Sequence, residues 1–346
     1  MIKILQVIDR LEVGGAERVF LDLNVLLRNE GVIVDVLTVS GKGEWYKQID
    51  KRCLLYFLNR NRKFSTIKLR ECANICSSYD IVHVHMRYTY SYIRLVQFLF
   101  RCKFKLVFQD HFGDIDKNQK VPIGLRLIFK PEYYIGVSES LERWALKTLN
   151  LPRSRVWTLR NTIIPTKKVI LYKLARDNRI IMVSNIRRTK NIEFAIDLAL
   201  KYNFSLDIYG NIVDCEYAKT LQEKIKNSGN VNIISGVGEI QPLLINYEMA
   251  IHSAESESGP LVLMEYLANG IPFLAYGTGE IYAILRSKTP EFFMSNFSFE
   301  DWYKRMEVLK CSEWKPELLK ELFNNNFGPE IYIKKCLRIY QEILGY

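Results

Sequence analysis

An α/β fold of two doubly wound domains, each on a parallel sheet, is predicted by three observations. Short apolar strands alternate with helical patterns, as βαβ units require. The alternation restarts at "RIIMVSNIRRTKNIEFAIDLAL", so the architecture occurs twice. A chain of 346 residues is long enough for two cores.

The elements follow in order. "IKILQVID" is a buried strand, "RLEVGGAER" a glycine loop and "ERVFLDLNVLLRN" a helix. "VIVDVLTV", "DIVHVH", "KLVFQDH" and "YYIGVS" are further near-continuous apolar runs, as expected of strands covered on both faces. His83 and His85 are read as pointing to opposite faces of their strand, with structural roles. The linker is placed at "NTIIPTKK", giving a first domain over 1–165 and a second over 172–326. In the second, "SLDIYG", "VNIISG", "EMAIHSA" and "IPFLAYG" continue the strands. The chain breaks at "NNNFGP", and Pro329 opens a last helix over 329–344. Tyr332, Cys336, Ile339 and Ile343 form one stripe of it, expected to cover the first domain.

Composition narrows the function. With 48% hydrophobic and 25% charged residues, the chain is a globular protein and not a disordered one. No apolar run reaches a membrane-spanning length of about 18 residues. The N-terminus reads as a first strand, not a signal peptide. Seven scattered cysteines lack zinc spacing and are expected to be reduced thiols of a cytoplasmic protein.

The net charge of +11 is uneven. Residues 1–165 hold 27 basic and 16 acidic side chains, and the rest of the chain balances to zero. Residues 51–70 carry seven cations and no acid, and residues 87–105 carry five and no acid, among many aromatics. Such a surface implies an anionic partner. No helix-turn-helix, zinc or RNA-recognition signature accompanies the charge, which argues against nucleic acid. Arg60, Arg62, Lys63, Arg94 and Arg101 are the expected acceptor or membrane patch.

The stretch "ESGPLVLME" carries the chemistry. Pro260 suits a first helical turn, Ser258 or Gly259 is the expected cap, and Asn269-Gly270 is the stop. Glu257 then lies in the loop before the helix and Glu265 inside it. Between them, the open N–H groups of the helix start form an anion site. A ligand with both hydroxyls and phosphate, such as a sugar nucleotide, fits that set.

With these residues in view, the chain resembles the retaining glycosyltransferases of the GT-B fold, specifically family 4. "VIDRLEVGGAERVFLDL", "VSNIRRTKN" and "ESESGPLVLMEYLANGIPFLAYGTGE" carry the resemblance. It implies that Glu265 binds the nucleotide ribose and that Glu257 sits by the transferred sugar. It implies that backbone at Gly259, Pro260 and Leu261 faces sugar and phosphates. Lys190 would neutralise the diphosphate, Gly15 would allow close approach to it, and His111 would lie near the donor sugar. Asn185 departs from the pattern, since an arginine usually stands there; Arg187 and Arg188 are the nearby substitutes. His252 replaces a common proline and is read as structural.

The resemblance implies a nucleotide-sugar substrate, a glycan or lipid-linked acceptor of cell-surface polysaccharide (lipopolysaccharide or capsule), and no metal or other cofactor. The basic, aromatic first domain is expected to attach peripherally at the inner face of the plasma membrane. "DID" at Asp114–Asp116 is the rival, a metal-binding pair typical of the other large glycosyltransferase fold. A sugar-nucleotide epimerase of similar fold and a degenerate, non-catalytic glycosyltransferase partner are the alternative functions.

Overall fold

The computed structural model describes residues 2–346 apart from 62–64, 114, 116–117, 122–124, 126–128, 172–177 and 313. It divides into two compact units, Met1–Thr162 with Pro329–Tyr346, and Ile163–Gly328.

The first unit holds β1 (Lys3–Ile8), β2 (Ile33–Thr38), β3 (Leu55–Phe57), β4 (Ile81–His85), β5 (Lys105–Asp110), β6 (Tyr133–Gly136) and β7 (Val156–Thr158). They line up as β3-β2-β1-β4-β5-β6-β7, every neighbouring pair parallel. One sheet face is largely apolar, with Leu5, Val7, Val82, Val84, Leu106 and Phe108 in one core. The opposite face includes Gln6, His83, His85 and Gln109, all fully buried. The last helix, Pro329–Leu344, buries Tyr332, Cys336, Ile339 and Ile343 within this unit and touches the helix Gly15–Asn29. Tyr340 Oη lies 2.6 Å from His83 Nδ1.

The second unit holds β8 (Arg179–Val183), β9 (Ser205–Tyr209), β10 (Val231–Ile234), β11 (Met249–His252), β12 (Phe273–Tyr276) and β13 (Phe293–Met294). Their order is β10-β9-β8-β11-β12-β13, again all parallel. In both sheets the strand order reverses beside the first strand. At such a switch point the loops leaving adjacent strands diverge and open a crevice, where ligands of these sheets bind. In the second unit those loops leave β8 and β11. That topology brings Lys190 and Glu257 together although 67 positions separate them.

The short strands β3, β7 and β13 lie at sheet edges and were not expected from the sequence. Among the described residues, no helix is long and apolar enough to cross a membrane.

Candidate active site

The helix Leu261–Ala268 begins after Pro260, which takes the N-cap position with no side-chain cap. The expected cap from Ser258 or Gly259 is therefore absent. The Ser258 carbonyl instead accepts the Glu280 N–H at 2.9 Å. This contact folds the "GTGE" turn onto the "ESGP" loop. Gly279 has φ +75°, and a Cβ there would stand 2.7 Å from the Glu257 carbonyl oxygen. Both the left-handed backbone and the close approach require glycine. The first-turn N–H groups of the helix keep their anion-binding character.

Glu265 is half-buried inside that helix. Its neighbour Tyr266 accepts the Val183 N–H at 2.9 Å, which fastens the helix to the end of β8. After β8 the chain forms a single turn, Arg188–Lys190, and a left-handed Asn191 (φ 49°) before the helix Ile192–Tyr202. Ser253 Oγ donates to the Asn191 carbonyl at 2.9 Å and lies 3.3 Å from that of Lys190. The Lys190 ammonium donates to Glu257 Oε1, and His252 Nε2 lies 3.2 Å from the same oxygen.

The Lys190 and Glu257 side chains are only 11% and 12% exposed. Burial by itself would raise the pKa of Glu257. The His252 hydrogen bond and the Lys190 charge outweigh it and hold the carboxyl at about 2. Glu257 is thus a fixed anion at neutral pH. The sequence assigns Lys190 and Glu257 to different parts of a ligand; the structure also pairs them with each other.

Arg188 does not fill the place of the missing arginine. It turns to Asp214 at 3.6 Å and stacks on Tyr217. Arg187 is exposed and has no ion pair among the described residues. His252 is the residue that sequence reasoning undervalued. The signal was a histidine ending a buried strand next to the carboxylate motif.

In the first unit, Gly15 is the first residue of its helix, behind an extended Gly14 with no side-chain cap. His83 and His85 do not face opposite ways. Residues two apart on a strand share a face, and their rings stack at 4.6 Å. His85 Nδ1 then meets His111 Nε2 at 2.9 Å, so the three histidines form one row. Burial holds His83 and His111 down at about 3 and His85 well below its ordinary value. All three are neutral at physiological pH.

The basic patch is smaller than the charge count suggests. Arg60 is buried, bonds the Tyr88 hydroxyl at 3.0 Å and lies over the rings of Tyr88 and Tyr92. It is a core cation and not a membrane contact, because two tyrosines on the adjoining helix stack with its guanidinium. Arg94 is partly shielded, 3.7 Å from Glu132 and bonded to Gln97. Arg101 is exposed. Arg62 and Lys63 lie outside the described residues, as do Asp114 and Asp116. Among the described residues no cluster of three or more His, Cys, Asp or Glu is arranged to hold a metal.

Comparison with known proteins agrees with this architecture. The family profile for Glycosyltransferase Family 4 matches residues 13–167, and that for Glycosyl transferases group 1 matches residues 165–323. An uncharacterized glycosyltransferase of Haemophilus influenzae is 22% identical over 359 residues, covering 96% of each chain. The structure is similar to Anabaena Alr3699/HepE in complex with UDP-glucose, with a TM-score of 0.77 and 13% identity over 100% of both chains. It is also similar to the apo form of the lipopolysaccharide outer core galactosyltransferase WaaB, with a TM-score of 0.67 and 13% identity over 99% of both chains. Two parallel-sheet units of this topology have the GT-B fold. The chain belongs to family 4 of these enzymes.

Proposed function

We propose that this glycosyltransferase moves a sugar from a nucleotide-sugar donor, with retention at the anomeric carbon and without a metal, to a glycan or lipid-linked acceptor of cell-surface polysaccharide. The observation that carries the reading is the Lys190–Glu257 pair, with Glu257 four residues ahead of Leu261, the uncapped helix start. A departing nucleoside diphosphate gains negative charge in the transition state. Lys190, Arg187 and the N–H groups at Leu261 and Val262 supply fixed positive charge and dipoles for it, the largest kind of catalytic contribution. Glu265 takes the ribose hydroxyls and Glu257 the sugar, which fixes orientation. The likeness to a UDP-glucose complex and to a lipopolysaccharide galactosyltransferase supports the donor class and the pathway class.

The test is a thermal-shift screen of nucleotide-sugars. A ligand at a hundredfold its Kd adds about 2.7 kcal/mol of stability. Stabilisation by at least one nucleotide-sugar is expected, with the matching nucleoside diphosphate losing most of its effect in Glu265→Ala. If no nucleotide-sugar stabilises the protein, the donor reading is overturned.

The acceptor reading has its own support. The helix Arg87–Phe100 ends in Phe98, Leu99 and Phe100, which are 75%, 52% and 41% exposed, beside the exposed cations Arg101 and Lys103. An apolar tip ringed by cations suits an anionic bilayer, where each cation contributes about 1 kcal/mol. It supports the reading of a peripheral protein at the cytoplasmic face of the plasma membrane. Co-sedimentation with anionic vesicles is expected at low salt, falling as salt rises, and weakened in the double variant Phe98→Ser, Arg101→Ser. Equal sedimentation with neutral and anionic vesicles, or none with either, would leave a soluble acceptor as the reading.

A further inference from the structure

His252 sits at the end of β11, an interior strand, and is 2% exposed. Its Nε2 reaches Glu257 Oε1 at 3.2 Å. Its Nδ1 is buried and has no hydrogen-bond partner among the described residues. A carboxylate can only accept, so the imidazole proton belongs on Nε2. A second proton on Nδ1 would create a buried N–H without an acceptor, which folded proteins avoid. His252 therefore presents its Nε2–H to the Glu257 carboxylate.

The carboxylate it meets is asymmetric. Lys190 and His252 both bond Oε1, while Oε2 has no hydrogen bond among the described residues. Two donors fill the two lone pairs of one carboxylate oxygen. The adjacent Ser253 holds the carbonyls of Lys190 and Asn191. Two consecutive residues thus orient both partners of the ion pair, His252 through the carboxylate and Ser253 through the lysine backbone.

We propose that His252 is a positioning residue for Glu257, closing Oε1 so that Oε2 alone accepts a single hydroxyl of the transferred sugar. The inference rests on the reading of Glu257 as a ligand of the donor sugar. It makes His252 a determinant of sugar specificity that never touches the sugar. Without the imidazole, Glu257 can swing about the Lys190 contact and offer either oxygen. The donor sugar is then held less firmly, while the nucleotide, bound elsewhere, is not affected.

Steady-state kinetics on His252→Leu and His252→Gln test this with intact nucleotide-sugars and with donors deoxygenated at one sugar position. Leucine removes the donor; glutamine restores an N–H at similar reach. His252→Leu is expected to lower kcat roughly 10- to 100-fold, the range for one hydrogen bond to a charged group. Nucleoside diphosphate affinity should stay unchanged, and His252→Gln should recover most of the loss. The wild type should discriminate against one deoxy donor more strongly than His252→Leu does. Glutamine no better than leucine, or nucleotide affinity falling together with kcat, would overturn the proposal.

If the wild type transfers sugar from no nucleotide donor, the donor reading fails separately. The His252 contact is then decided by the carboxyl titration of Glu257, followed by NMR. Proton uptake should begin at higher pH in His252→Leu than in wild type and His252→Gln. The same titration in all three would overturn it.

Discussion

Lys190→Ala should reduce turnover by about 10²-fold or more, because on the proposed mechanism it removes a fixed cation from the place where leaving-group charge develops. It should also destabilise the second unit. Glu257 would remain a nearly buried carboxylate with only His252 as donor. Deleting one partner of such a pair typically costs about 3–5 kcal/mol. The two effects separate with the double variant Lys190→Met, Glu257→Gln, which leaves no uncompensated charge. That protein should regain much of the stability and none of the activity. Recovery of turnover along with stability would mean that the pair only supports the fold. On the proposed metal-free mechanism, transfer by the wild type should also continue in excess EDTA. Loss of activity in EDTA with rescue by Mn²⁺ would bring Asp114 and Asp116 back as ligands.

The fold was legible because interior parallel strands are covered on both faces and so become continuous apolar runs. "IKILQVI" and "RIIMV" could be little else. The edge strands β3, β7 and β13 were not legible. They are two or three residues long, too short to show any period.

The site divides in the same way. Glu257 and Glu265 stood out because a proline and a stop signal bracket the helix that holds Glu265 and follows Glu257. The Lys190–Glu257 contact could not be read locally, since it depends on β8 and β11 being neighbours. His252 gave a weak signal for a related reason. Nothing in "EMAIHSA" says that the loop after it returns a carboxylate to its ring. The strand parity of His83 and His85 was present in the sequence, and geometry alone places them on one face. Arg60 shows the limit of charge counting. A run of cations does not distinguish a solvated guanidinium from one stacked on tyrosines supplied by a later helix.

The largest expected effect on stability comes from acid. His83 and His85 are fully buried. Burial lowers His83 from an ordinary 6.5 to about 3 and His85 well below 6.5; repulsion between neighbouring rings adds to the shift. The unfolded chain takes up protons on both residues near pH 6.5, and the folded chain resists until far lower pH. Below about 6.5 the unfolded state thus binds more protons, and stability falls as pH falls. The window for His83 runs from 6.5 down to about 3. Within it each histidine contributes a slope of up to about 1.4 kcal/mol per pH unit, so His83 and His85 together approach about 3 kcal/mol per unit, and the depressed His111 adds its own share. Glu257 adds a later loss, since its depressed carboxyl stabilises the fold above its ordinary 4.5 and stops doing so as pH falls toward about 2. Urea midpoints measured from pH 7.5 to 4.5 should therefore drop steeply in the wild type. His83→Asn with His85→Asn should start lower at pH 7.5, because His83 loses its bond to Tyr340, and then decline less, with His111 leaving a residual slope. An unchanged slope in that double variant would mean that the protons bind elsewhere. Because both histidines belong to the first unit and Glu257 to the second, the steep part should be assigned to unfolding of Met1–Thr162 with Pro329–Tyr346.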